Sequence, residues 1–140
     1  EFVAQQIAYA YPQIEAKSQA IEFNESGQYQ VQANKTLLEI LFRNLLDNAI
    51  RYSPQNGKII VSSSEKDGHV YLSIEDSGTG LTQDQINKLG VRFQRLGKID
   101  SYGSGLGWSI IKKIAEVQEL KIHLSRGQIL SGLFISIRFS

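Results

Sequence analysis

Between Leu37 and Ala49 the apolar residues Leu37, Leu38, Leu41, Leu45, Leu46 and Ala49 recur every three or four positions, the period of a helix with one buried face. Asn34 stands where a helix cap belongs, so the pattern predicts a long helix running to about Tyr52. A second stripe, Val3, Ile7, Ala10, Tyr11 and Ile14, predicts a helix within residues 1–18, with Pro12 marking a break or kink inside it. Further caps at Thr82 and Ser104 predict helices to about Leu89 and about Gln118.

Elsewhere the period falls to two. Ile21 to Phe23 and Tyr29 to Ala33 read as short strands around Ser26-Gly27, and Lys58 to Ser64 and His69 to Glu75 as a hairpin turning at Lys66-Asp67-Gly68. Ile122 and Leu124, then Leu133, Ile135, Ile137 and Phe139, supply two more strands around a connection containing Gly132. The pattern predicts a single-domain, two-layer α/β sandwich: a mixed, mostly antiparallel sheet packed on about three helices. Residues 90–103 hold no period and form a candidate mobile lid.

Composition narrows the function classes. A chain of 140 residues, 41% apolar, suits one core, and a net charge of +1 without a basic stripe makes nucleic acid an unexpected partner. The absence of cysteine removes disulfides, thiolate metal sites and thiol nucleophiles; it suits a reducing compartment. His69 and His123 are too isolated for a zinc cluster and sit in strand patterns, as structural or surface residues. No apolar run reaches the roughly 20 residues of a membrane span. The start at Glu1 rather than methionine reads as a piece excised from a longer protein.

Three short motifs carry candidate chemistry. On the long helix Asn44, Asn48, Arg51 and Tyr52 fall at i, i+4, i+7 and i+8, one stripe beside the apolar face. Asparagine is a poor helix former, so the pair hints at a ligand: amide oxygens suit a Mg²⁺ ion that already carries phosphate oxygens, and Arg51 suits phosphate charge. A solvated polar face fits the same spacing. In Asp76-Ser-Gly78-Thr-Gly80 the alternation of Val70, Leu72 and Ile74 puts Asp76 on the buried face and points Glu75 the other way. A buried carboxylate there needs a donor, either from the protein or from an amine such as the exocyclic NH₂ of adenine; an ordinary Asx turn is the alternative. In Gly103-Ser-Gly105-Leu-Gly107 glycines bracket a helix start, where N–H groups and the dipole favour phosphate, although a hinge with a Ser104 cap has the same sequence. Arg92, Arg95 and Lys98 lie in or near the candidate lid, and Arg95 is the favoured phosphate contact.

Taken in order, these motifs resemble the ATP-binding catalytic domain of bacterial sensor histidine kinases, within the wider group of gyrase, Hsp90 and MutL ATPases. Asn44 to Pro54 is similar to that family's N box, Asp76 to Gly80 to its G1 box, Arg92-Phe-Gln-Arg95 to its F box, and Gly103 to Gly107 to its G2 box. The resemblance implies the Bergerat sandwich, with ATP and Mg²⁺ as cofactors. Asn48, helped by Asn44, would ligate the metal. The nucleotide set would be Asn44, Asn48, Arg51, Tyr52, Asp76, Gly78, Gly80, Leu81, Arg95, Gly103, Ser104, Gly105, Leu106 and Gly107. It further implies that Asn44, where the ATPase relatives carry a glutamate base, disfavours hydrolysis and favours phosphoryl transfer. The acceptor histidine and its acid would lie on a separate dimerisation segment of a homodimer, so no catalytic acceptor lies in this chain, and a response regulator would receive the phosphate next. Arg43 to Pro54 and Lys88-Leu-Gly90 look most like membrane sensors of the QseC and PmrB type, which implies a cytoplasmic domain of a membrane-anchored bacterial inner-membrane protein. Two departures stand out: Trp108 where leucine is usual, and Val91-Arg-Phe-Gln-Arg95 where Glu-Arg-Phe-Tyr-Arg is frequent. A serine kinase of the anti-sigma-factor type and a degenerate nucleotide-binding module are the alternatives.

Overall fold

The computed structural model describes residues 2–27, 29–78, 84, 105–127, 129, 130 and 132–139. Its elements run α1 (Phe2–Ala16), β1 (Ala20–Glu25), α2 (Lys35–Tyr52), β2 (Lys58–Lys66), β3 (His69–Asp76), α3 (Gly105–Val117), β4 (Lys121–Arg126) and β5 (Leu133–Arg138). The strands form one five-stranded sheet in the order β1-β2-β3-β5-β4. β1 and β2 pair in parallel, which the intervening α2 makes possible, and the remaining pairs are antiparallel.

The helical period of α2 becomes the centre of the core. Leu41, Phe42, Leu45 and Leu46 are essentially inaccessible and meet Ile59 and Val61 of β2, Leu72 and Ile74 of β3, and Ile135 and Ile137 of β5. Ile14 of α1 and Ile111 of α3 close the helical layer. Asn34 caps α2 as its sequence predicts, its side chain accepting from Leu37 N at 3.0 Å. The hairpin turns on Asp67 and Gly68, both at positive φ, as a two-residue turn between paired strands requires.

Two expectations fail for identifiable reasons. Tyr29 to Ala33 is not a strand: Val31 and Ala33 pack at the margin of the core, but the ladder on that side ends with β1. Alternation there reports burial, not pairing. Of the break or kink expected at Pro12, the break is absent: the first helix runs unbroken through Pro12, and both Pro12 and Ala8, whose carbonyl loses its helical donor, are exposed to water. The helix expected over Thr82 to Leu89 and the candidate lid over 90–103 lie outside the described residues, Asp84 apart.

Candidate functional site

The last turn of α2 is fastened at its carbonyl end by the segment joining α1 to β1. Lys17 Nζ donates to Ile50 O at 2.8 Å and Ser53 O at 2.7 Å, and the buried Gln19 amide donates to the same two carbonyls at 3.1 Å each. A cation and an amide thereby satisfy carbonyls that a helix end leaves unbonded. Ser53 Oγ accepts from Ser77 N at 3.2 Å, and Ser77 Oγ accepts from Lys58 N at 2.8 Å, so the end of α2 is laced to the end of β3. None of these four side chains stood out in the sequence, because single Lys, Gln and Ser residues near a turn carry no periodic signal.

This lacing brings together Tyr52, Asp76 and Gly78. A Cβ on Gly78 would stand 2.8 Å from Tyr52 O and 3.0 Å from Asp76 Oδ1, so the strand end runs directly beneath the helix end. Asn48, one turn earlier on α2, is 3% exposed, and its Nδ2 is buried with no hydrogen-bond partner. Buried amides are normally bonded, and turning this one over exchanges its oxygen and nitrogen, so the position can offer either a donor or an oxygen ligand.

Asp76 is 2% exposed. Its Oδ1 accepts from Gly78 N at 2.9 Å and Leu133 N at 3.0 Å, so protein donors satisfy one oxygen while Oδ2 takes neither bond. Burial pushes the carboxyl up to about 6; the two N–H groups pull it down, and the neighbouring Glu75 raises it further. Gly132 makes this approach possible, since a Cβ there would lie 2.1 Å from Asp76 O and 2.4 Å from Oδ1. Glu75 points to the opposite face, as the alternation predicts, yet it too is buried, its Oε2 accepting from Ile129 N at 2.9 Å and from Leu130 N.

The rest of the predicted stripe is only partly aligned. Asn44 is half-buried and spends its Nδ2 on Ile40 O at 2.7 Å; it also lines a cleft of about 270 Å³ with Tyr9, Gln13, Arg43 and Asp47, away from Asp76. Arg51, expected to stand ready for an anion, is exposed and paired with Asp47 at 2.7 Å. The i, i+4 spacing that aligned the asparagines also gave the cation an acid. Gly105, Leu106 and Gly107 open α3, which packs on α2. Gly80, Leu81, Arg95, Gly103 and Ser104 lie outside the described residues, as do Arg92 and Lys98. His69 Nδ1 lies 3.1 Å from Phe139 O at the start of β3, about 23 Å of strand from Asp76, and His123 lies within β4.

Residues 33–139 match the family described as histidine kinase-, DNA gyrase B-, and HSP90-like ATPase. Sensor protein BasS of Escherichia coli K12 is 40% identical over 104 residues, 73% of this chain and 28% of that protein. Sensor protein QseC of the same strain is 37% identical over 92 residues, 66% of this chain and 20% of that protein. The chain thus spans under a third of the length of these relatives. The catalytic domain of histidine kinase ThkA superposes with a TM-score of 0.81 at 23% identity, over 99% of this chain and 89% of that one, a likeness of fold. Among the described residues, no helix is long and apolar enough to cross a membrane.

Proposed function

The chain belongs to the histidine kinase-, DNA gyrase B-, and HSP90-like ATPase family, and from that premise we propose that it is the ATP-binding catalytic domain of a two-component sensor histidine kinase. The observation that carries this reading is the juxtaposition of a buried aspartate, whose bonds to donors among the described residues all fall on Oδ1, with the end of a helix that holds a buried asparagine whose Nδ2 has no partner there.

Asp76 Oδ2 accepts from the exocyclic amine of adenine, which separates adenine from guanine because guanine presents a carbonyl there. The missing side chain of Gly78 lets the end of α2 close over the strand end that carries Asp76. Asn48 would hold Mg²⁺ through its amide oxygen, with Asn44 helping, and Arg51 would exchange Asp47 for phosphate. A magnesium ion held there supplies charge neutralisation for the phosphates. The opening of α3 at Gly105 to Gly107 offers N–H groups to phosphate, and Gly80, Leu81, Arg95, Gly103 and Ser104 complete the set.

Asn44 is an amide and cannot act as a general base towards water, which favours delivery of the phosphoryl group to another side chain. With His69 and His123 in the sheet and distant from the site, that acceptor is a histidine on a dimerisation segment of the full-length homodimer, and a response-regulator aspartate follows it. Resemblance to proteins named BasS and QseC sensors favours histidine over serine as the acceptor and a membrane-anchored parent with this domain on the cytoplasmic side.

Calorimetric titration with ATP, ADP and GTP, with and without Mg²⁺, tests the site. Adenine-selective, Mg²⁺-strengthened binding that loses its selectivity in Asp76→Asn is expected. Equal affinity for ATP and GTP in the unaltered chain would refute it.

A further inference from the structure

Glu75 is a charged residue that the nucleotide reading leaves without a task. It is 4% exposed, on the sheet face away from the helices, opposite Ile60, which is also buried. Its burial comes from the connection between β4 and β5, which folds across the end of β3. Glu75 Oε2 accepts from Ile129 N at 2.9 Å and from Leu130 N. Gly127 lies so close that a Cβ would stand 2.4 Å from Glu75 Cδ, and Gly127 N donates to Gly132 O at 2.7 Å, closing the loop on itself. Ile129, by contrast, is 72% exposed, so apolar packing of that side chain does not hold the loop down.

The same connection ends at Leu133, whose N–H bonds Asp76 Oδ1 from the other side of the strand. Two consecutive acids on opposite faces of β3 therefore grip one loop, Glu75 in its middle and Asp76 at its exit. We propose that Glu75 is a positioning residue for base recognition: by clasping Gly127, Ile129 and Leu130 it fixes Leu133 N against Asp76 Oδ1, which locks the carboxylate rotation and presents Oδ2 to the amine of adenine. A buried carboxylate holding two main-chain donors is a stiffer fastening than a neutral side chain would give, because charge-assisted bonds are about twice as strong. Substrate selectivity then depends on a residue that does not touch the substrate. This inference rests on the adenine-binding reading above.

The test uses Glu75→Ala, which removes the clasp, and Glu75→Gln, which keeps an acceptor and removes the charge, beside Asp76→Asn. The readouts are ATP and GTP affinities, amide exchange at Ile129, Leu130 and Leu133, and the pH midpoint of adenosine binding. For Glu75→Ala we expect ATP affinity to fall about tenfold while GTP affinity stays unchanged, with protection lost at all three amides. Glu75→Gln should recover most of the ATP preference while moving the pH midpoint down, since a negative neighbour of Asp76 has gone. If Glu75→Ala does not fold, Glu75→Gln decides: an unmoved midpoint together with unaltered Leu133 exchange overturns the inference. So does a folded Glu75→Ala that keeps full ATP preference while Asp76→Asn loses it. A native chain with no preference for adenine instead refutes the site reading, and the claim about base recognition falls with it.

Discussion

Replacing Asp76 by asparagine should stabilise the nucleotide-free domain while destroying its preference for adenine. The substitution keeps the shape and leaves an amide oxygen able to accept from Gly78 N and Leu133 N; what it removes is a buried ionisable group. Folding raises the Asp76 carboxyl from 3.8 to about 6, so the folded state binds the proton more tightly than the unfolded one. Stability is therefore fully present below pH 3.8 and is lost as pH rises through about 6. At about 1.4 kcal/mol per pH unit, that gap costs the wild-type domain about 3 kcal/mol at neutral pH. The asparagine variant has no such cost. Urea unfolding followed by circular dichroism, from pH 3.5 to 7.5, should show the variant gaining on the wild type by about 3 kcal/mol across the range, whatever their difference at the acid end. A difference independent of pH would refute the claim that this carboxylate is held ionised against desolvation. The free energy involved is what an amine-bearing ligand can recover.

Other outcomes follow from the same geometry. Asn48→Ala should weaken Mg²⁺-ATP binding at least tenfold and leave Mg²⁺-free ADP nearly unaffected, as read by calorimetry, whereas Asn48→Asp should change the metal dependence by adding charge. Gly132→Ala should destabilise the domain by about 1–3 kcal/mol in urea unfolding, because its Cβ would collide with Asp76 O. Gln19→Ala should lower stability by about 1–2 kcal/mol by freeing buried carbonyls at the end of α2; an unchanged denaturation midpoint would show that Lys17 suffices. Asp47→Ala should leave stability within about 1 kcal/mol, since its pair with Arg51 is exposed, while tightening ATP binding a few-fold by releasing the guanidinium, as a titration would read.

Much of this architecture is legible in the chain because it rests on period. The stripe of α2, the alternation of β2, β3 and β5 and the Asn34 cap are each local patterns with a single structural solution. The parallel pairing of β1 with β2 has no local signature, since register between segments 38 positions apart is decided by packing. Tyr29 to Ala33 misleads because alternation fits any chain lying on a core, with or without a ladder. At the site, the burial of Asp76 follows from strand parity, but one of its two main-chain donors, Leu133 N, lies 57 residues away, and the donors that cover Glu75 lie 54 and 55 residues away. Parity says which way a side chain points and is silent on what folds over it. Arg51 shows the opposite limit: its position is predicted correctly, and an acid on the same helix face occupies it.

The parallel β1–β2 ladder has a consequence for how the protein is made. The β2–β3 hairpin can zip from its turn, whereas Ala20 meets Lys58 only after the 38 positions that include α2 have been drawn into a closed loop. Such contacts of high sequence separation slow a folding chain. The ladder can close only across a docked α2, so β1 and the helix bearing Asn48 and Tyr52 join the fold together. A nascent chain with a damaged α2 core would be left with an open edge at β2, exposed to aggregation and proteolysis. Synthesis thereby screens the helix before a nucleotide meets it.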